Sequence, residues 1–149
     1  MMIFPLDIRN ASVAEQVLNI QVPAYEVEAK MIGYKDIPPL KDTIETLQNS
    51  TEIFYGYIHD DVLMGVISFQ LDQSILDIHR VVVHPRFFRR GIGKTMVAFL
   101  LNKYRYHVDH FVVRTGAANI PAINLYKNIG FEEIDRIQVN GHLQLVVLT

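Results

Sequence analysis

The sequence predicts an α/β (α+β) chain built on a mixed, mostly antiparallel sheet, and three observations predict it. Stretches of alternating apolar residues return on themselves around polar turns, as Glu52 to His59 and Val62 to Leu71 do around His59-Asp60-Asp61. The aliphatic run Val81-Val82-Val83 feeds a basic, glycine-containing loop, His84 to Lys94 (HPRFFRRGIGK). Ile92, Met96, Leu100 and Tyr104 leave that loop at helical spacing. A second helical stretch opens at Asn119, follows a strand, and stops at Gly130.

Taken in order, Ile3 to Arg9 reads as a first strand. Val13 to Ile20 has helical spacing (Val13, Val17, Leu18), with Ser12 as the candidate N-cap. This helix is expected to stop near Val22, because Pro23 disfavours helical torsions in the residue before it. Tyr25 to Leu40 reads as irregular, and Asp42 to Gln48 as a short helix. The hairpin Glu52–Leu71 follows, then a turn at Asp72, Gln73 and Ser74, then a long strand Ile75–Val83 into the glycine loop. The helix Gly91–Tyr104 precedes a strand at His110–Arg114 and a loop at Thr115, Gly116 and Ala117. Pro121 falls in the first turn of the next helix, where a missing amide hydrogen matters little. Phe131 to Ile137 and Leu143 to Leu148 are the final strands, joined by a turn at Asn140-Gly141.

The His84–Lys94 loop has the makings of an anion site. The first amides of a helix lack partners within it and point outward, and the helix dipole adds positive potential there. Gly91 and Gly93 let the backbone approach a bulky anion, and Arg89, Arg90 and Lys94 add formal charge. A P-loop would need glycine where Phe88 stands, and a dinucleotide fingerprint would need it at Met96. A basic solvated turn is the plain alternative.

A third pattern fits: hydrophobic-x-hydrophobic-x-Pro, five residues, Gly-x-Gly, carried by Val81, Val83, Pro85, Gly91, Ile92 and Gly93. Downstream, Asn119, Ala122, Leu125, Tyr126, Gly130 and Phe131 form Asn-x-x-Ala-x-x-Leu-Tyr-x-x-x-Gly-Phe. Together these resemble the GNAT superfamily of N-acetyltransferases, well over residues 52–131 and loosely elsewhere. The resemblance implies one GNAT acetyltransferase domain over residues 1–149, with the order βααββββαβαββ or close to it and helices on both faces. The strands Ile75–Val83 and His110–Arg114 would splay apart, and the pantetheine arm of acetyl-CoA would pair with the backbone of Val81, Val82 and Val83. Arg89, Arg90, Gly91, Ile92, Gly93 and Lys94 would hold the pyrophosphate, and Asn119 the cofactor arm, although helix capping explains Asn119 equally. The chain departs from the family pattern where Arg or Gln is usual: it has Phe88, read as a packing residue.

Acetyl transfer needs a neutral amine, donors for the developing oxyanion and a proton for the leaving thiolate. Tyr126 aligns with the tyrosine to which the family assigns the proton; a free phenol, with pKa about 10, is protonated at neutral pH. A helix tyrosine packed on the core is the plain alternative. For the base, the family's glutamate on the strand before the Asn motif has no counterpart here, since no carboxylate lies between Phe111 and Asn119. The other family position falls at Asp77, which strand alternation places on one face with His79, Val81 and Val83. His79, with an unperturbed pKa of about 6.5, is the second candidate. An exposed strand face accounts for both equally. No nucleophile motif occurs, so direct attack in a ternary complex is expected rather than an acyl-enzyme.

Composition sets outer bounds. The 149 residues suffice for a real core, and a formal charge of −2 argues against general nucleic-acid binding. The chain has no cysteine, which excludes disulfides, a cysteine nucleophile and cysteine-ligated zinc, and fits a reducing, cytoplasmic setting. Neither a signal peptide nor a membrane span is visible, and the histidines form no metal motif, so no metal is expected. The acceptor is expected to be a small-molecule or protein amine. The resemblance implies that Tyr25 to Leu40 and Arg136 to His142 would build its site, and Tyr25, Glu26, Glu28, Tyr34 and Asp36 suit a cationic group. A non-catalytic acyl-CoA-binding sensor is the competing function. Leu143 to Leu148 is apolar enough to pair with a second chain as a homodimer, or to lie inside its own sheet.

Overall fold

The computed structural model describes residues 2–149. Its strands are β1 (Ile3–Leu6), β2 (Ile53–His59), β3 (Val62–Asp72), β4 (Ile75–Val83), β5 (His110–Gly116), β6 (Glu133–Gln138) and β7 (Gln144–Leu148). Its helices are α1 (Ala11–Ile32), α2 (Ile44–Gln48), α3 (Ile92–Tyr104) and α4 (Ile120–Ile129), with short 3-10 turns at Pro38–Lys41 and Pro85–Phe87. The strands form one seven-stranded sheet in the order β1-β2-β3-β4-β5-β7-β6. All neighbours are antiparallel except β4 and β5, which are parallel and joined through α3. This is the mixed, mostly antiparallel sheet the sequence predicts. Three strands, those read individually from the sequence, separate α2 from α3, one fewer than the order implied by the resemblance.

Helices cover both faces. Ile92, Met96, Val97 and Leu100 of α3 and Ile123 and Tyr126 of α4 pack on Ile67, Phe69, Leu76, Ile78 and Val113. Ala14, Val17, Ile20, Tyr25 and Ala29 of α1, with Leu47 of α2, pack on Phe54, Val66 and Val82 on the other face. β7 lies between β5 and β6. Both its edges are therefore paired within this chain, which removes it as a strand for a second copy.

The first helix corrects the sequence expectation. It begins at Ala11 with Asn10, not Ser12, as N-cap: the Asn10 side chain accepts from the amides of Ser12 and Val13. It then passes through Pro23 and ends only at Gly33, whose φ of 71° makes the left-handed stop. An interior proline costs roughly 3 kcal/mol or more through its lost hydrogen bond and steric clash. The continuing stripe Ala14, Val17, Gln21, Tyr25, Ala29, all buried against the sheet, offsets it. Each large side chain so buried contributes about 1.5–3 kcal/mol. Tyr25 and Glu28 thus stand on a helix rather than in an irregular segment. Gly116, expected in a loop, ends β5: a Cβ there would lie 3.0 Å from Ile32 Cγ2, so glycine lets the end of α1 press against β5.

A bulge corrects the facing of β4. Ser68 pairs with Arg80 but Phe69 pairs with Ile78, so His79 is an extra residue. The alternation flips there. Leu76 and Ile78 share the α3 side with Val81 and Val83, while Arg80 and Val82 turn toward α1. Asp77 therefore does not share a face with Val81 and Val83.

Candidate active site

The parallel pairing of β4 with β5 runs only from Ile75↔His110 to Ile78↔Val113. Beyond it β5 pairs with β7 through Gly116, and β4 continues to Val83 paired only with β3. The sheet opens there, as expected, and leaves the β5-facing edge of Val81, Val82 and Val83 without a strand partner. Val82 is buried under α1, whereas Val81 and Val83 are half-buried on the side of α3 and α4.

At the end of this open edge β4 turns into the basic loop. The His84 amide donates to Met64 O at 2.9 Å, which anchors the turn to β3, and His84 Nδ1 accepts from the Arg86 amide at 3.1 Å. Gly91 is the N-cap of α3 with φ 73°, and no side chain caps the helix. The first amides of α3 (Ile92, Gly93, Lys94) are therefore free to receive an anion. Arg89, Arg90 and Lys94 are exposed around them, with the Arg90 guanidinium 5.4 Å above the Phe87 ring. Arg89 holds φ 65°, an unusual torsion for a residue with a β-carbon. Phe87 packs on the core while Phe88 is 42% exposed. Phe88 is thus not the packing residue expected, because the turn Pro85–Phe87 points its predecessor inward. Ile92 is buried, so only its backbone faces the loop. Uncapped amides, a left-handed glycine and a rim of three cations fit the pyrophosphate of coenzyme A, and the open β4 edge fits an amide-containing arm.

Across the opening the helices of the two faces meet. Asn119 caps α4, its Oδ1 accepting from the Ala122 amide at 3.3 Å, and its Nδ2 donates to Glu28 Oε1 of α1 at 2.9 Å. Tyr126 lies about two turns further along α4, 5% exposed, with its ring 5.7 Å from that of Phe131. Burial first, and the Glu28 charge second, push the Tyr126 hydroxyl well above the usual phenol range. The same two causes raise Tyr25, and Tyr126 and Glu52 add to them while Arg80 opposes. Both phenols are therefore kept as neutral donors. Burial raises the Glu28 carboxyl above its ordinary value, and the Asn119 hydrogen bond partly opposes this. Glu28 was read from sequence only as part of an irregular acceptor segment. The Ala14-Val17-Gln21-Tyr25-Ala29 spacing already carried the signal that helix α1 continues and turns this region toward the sheet.

Asp77 lies at the closed end of the gap, where β4 and β5 are still paired, and His79 is the bulged residue just beyond that pairing. Asp77 accepts from Arg114 Nη1 at 3.0 Å, and His79 stands between Asp77 (3.5 Å) and Glu52 (3.6 Å). The interior end of this network is Arg80, which is buried and bonded to Glu52 and, at 3.0 Å, to Asp42. Asp77 and His79 thus belong to an ion-pair array rather than to the space beside Tyr126. Among the described residues no group of three or more His, Cys, Asp or Glu could hold a metal ion.

The two segments expected to flank an acceptor do come together. A cleft of about 470 Å³ lies between Lys30, Tyr34, Lys35 and Asp36 on one side and His142 of the β6–β7 turn on the other. Asn140 Nδ2 and the Tyr34 hydroxyl, 3.3 Å apart, join its walls.

Comparison with known proteins agrees with this geometry. The UPF0157 protein YqkA of Bacillus subtilis (strain 168) is 36% identical over 139 residues, 93% of this chain and 40% of that protein. The N-alpha-acetyltransferase 30 of Dictyostelium discoideum is 32% identical over 88 residues, 56% of this chain and 48% of that protein. The chain thus spans about half or less of the length of these curated relatives. Among solved structures, the PaiA N-acetyltransferase of Thermoplasma acidophilum, in complex with coenzyme A, superposes with TM-score 0.77 at 15% identity, covering 99% of this chain and 98% of that one. The ribosomal-protein-S18-alanine N-acetyltransferase of Escherichia coli does so with TM-score 0.70 at 16% identity, covering 98% and 90%. These establish a shared fold. The acetyltransferase (GNAT) family model matches residues 14–131, from the first turn of α1 through both motifs to Phe131, and with the sheet parted where those motifs require it, this chain belongs to that family.

Proposed function

We propose that this chain transfers an acetyl group from acetyl-CoA to an amine acceptor, by direct attack within a ternary complex. The observation that carries the reading is an opening in the sheet with an uncapped helix N-terminus at one end, and Tyr126 supports it as a buried phenol on the helix that Asn119 caps. Acetyl-CoA would supply the acetyl group already activated as a thioester. The amides of Ile92, Gly93 and Lys94, with Arg89, Arg90 and Lys94, hold its pyrophosphate. The free edge of Val81–Val83 holds its arm, and Asn119 orients the wall beside it. Tyr126, kept neutral by burial, gives a proton to the leaving sulfur.

The acceptor enters from the cleft between Lys30, Tyr34 and His142. Its class is a small or a protein amine; the names of two similar proteins, an N-alpha-acetyltransferase and a ribosomal-protein-alanine N-acetyltransferase, support a protein amine. We place this activity in a single domain over residues 1–149, working in the cytoplasm.

Calorimetric titration with acetyl-CoA, coenzyme A, ATP and NAD tests the reading. Selective micromolar binding of acetyl-CoA, weakened in Arg90→Glu, is expected and leads to an amine screen. Failure to bind acetyl-CoA, or tighter binding of ATP, would overturn it.

A further inference from the structure

Four carboxylates stand on the α1 side of the sheet, and three already hold cations or lie beside one. Asp77 accepts from Arg114 and flanks His79. Glu52 accepts from Arg80 and, at 2.6 Å, from the Ser68 hydroxyl. Asp42 accepts from Arg80 at 3.0 Å and from Gln21 at 2.8 Å. Glu28 differs. Its one side-chain partner is the neutral Asn119 amide at 2.9 Å, and among the described residues no cation lies within ion-pair distance of it. It is half-buried, and the groups that face it are Tyr25 from its own helix and Tyr126 and Asn119 from α4. Behind Tyr25, the Arg80 guanidinium is already shared by Glu52 and Asp42. A carboxylate withdrawn from water without a cation is unfavourable unless a guest supplies one.

We infer that Glu28 receives the ammonium group of the acceptor and takes its proton, and is the base of this site in place of Asp77 or His79. This rests on the acetyl-transfer reading above. The Asn119 hydrogen bond fixes one carboxylate oxygen and leaves the other for the guest. The Glu28 charge acts on the Tyr126 hydroxyl, so the proton acceptor and the proton donor lie near one another. The proton balance closes. Glu28 takes one proton from the ammonium group, and the neutral nitrogen attacks the acetyl carbon. As the new C–N bond forms and the C–S bond breaks, Tyr126 gives its proton to the sulfur. The nitrogen's second proton restores the phenol, and Glu28 releases its own to solvent. A carboxyl raised by burial is better matched to this task than an ordinary one. The Asp77 carboxylate, held by a guanidinium, is not so placed.

The test uses the full chain saturated with coenzyme A, with n-butylamine as the probe. In the first arm, the side-chain carboxyl carbon of Glu28 is followed by NMR as butylammonium is added; a saturable shift, absent at Asp77, is expected, and no turnover is required. In the second, acetyl transfer to n-butylamine is measured against pH for wild type and Glu28→Gln, which retains an oxygen for Asn119. The expected loss is about 100-fold near neutral pH, shrinking as the solution approaches the amine's own pKa of about 10. A merely structural Glu28 would leave the shape of that pH profile unchanged. An unmoved Glu28 carbon at saturating butylammonium, or a Glu28→Gln enzyme within about threefold of wild type at every pH, would overturn the inference. Coenzyme A binding, measured in parallel by calorimetry, is expected to survive Glu28→Gln. Its absence in wild type would sink the acetyl-transfer reading itself and is read separately.

Discussion

Replacing Gly91 and Gly93 separately by alanine should move stability in opposite directions. Gly91 holds φ 73° at the N-cap of α3, and a Cβ built there meets nothing within 4 Å. The penalty is therefore purely torsional, about 1–2 kcal/mol for a left-handed residue with a β-carbon. Alanine also restricts the unfolded chain, which returns about 0.4–1 kcal/mol. The net expectation for Gly91→Ala is a loss of roughly 0.5–1 kcal/mol. Gly93 lies within the first turn of α3, outside the left-handed region. Its added Cβ would stand 3.3 Å from Leu125 Cδ1, a flexible methyl, and 3.8 Å from Val81 Cγ1. Helix propensity then favours alanine by up to about 1 kcal/mol. Urea unfolding should separate the two variants by about 1–2 kcal/mol, a midpoint difference near 0.5–1 M for an m-value of about 2 kcal/mol/M. Both should still bind acetyl-CoA, whereas Gly93→Phe should not, since its ring must displace Leu125 and Val81 at the open edge. Gly91→Ala as stable as wild type, together with a destabilised Gly93→Ala, would refute the torsional argument.

Four further outcomes are expected. Tyr126→Phe removes a hydroxyl and keeps the ring on Phe131, so its melting temperature and acetyl-CoA titration should stay near wild type while acetyl transfer falls about 100-fold or more; equal loss of binding and transfer would instead make Tyr126 a packing residue. Arg80→Met leaves Glu52 and Asp42 without their shared guanidinium, and urea unfolding should register a loss of about 3–5 kcal/mol. Arg89→Gly relieves the φ of 65° and should be neutral to stabilising by up to about 1 kcal/mol, while calorimetry finds weaker acetyl-CoA binding from the lost charge. Glu28→Gln should raise the melting temperature at neutral pH: because the folded-state pKa is raised, the wild-type protein is stable with Glu28 protonated and loses that stability as pH rises through the folded value. The advantage of the variant should therefore vanish in acid, below the ordinary glutamate pKa, and melting curves taken across pH decide it.

The parts of this fold that were legible in the sequence are those set by local chemistry. The Ile75–Val83 strand, the turn at Asp60-Asp61 and the Asn119 cap each depend on residues within a few positions, and each stands where the sequence puts it. The glycine loop belongs with them, since Gly91 must be left-handed before α3 can begin. What was not legible depends on distant packing. Pro23 is a local stop signal overridden by Tyr25 and Ala29, whose burial is against strands read much later in the chain. The extra residue in β4 is likewise invisible to an alternation count, because the flip shows only against the β3 partner that faces it.

These two overrides have a joint consequence for the site. Without the bulge at His79, alternation would send Asp77 to the side of Val81, and a strand-borne base would be the natural choice. With it, Asp77 falls in with Arg114 and His79 at the closed end of the gap. Without the continuation of α1 through Pro23, Glu28 would lie in a solvated loop, at full hydration and with no fixed partner. With it, Glu28 is carried to the N-cap of α4, held by Asn119 and placed where its charge acts on Tyr126. The two departures from local expectation thus move the candidate base from the sheet to the first helix. A sequence rule breaks at each of those points, and that is where a site that needs a half-buried, cation-free carboxylate would have to break it.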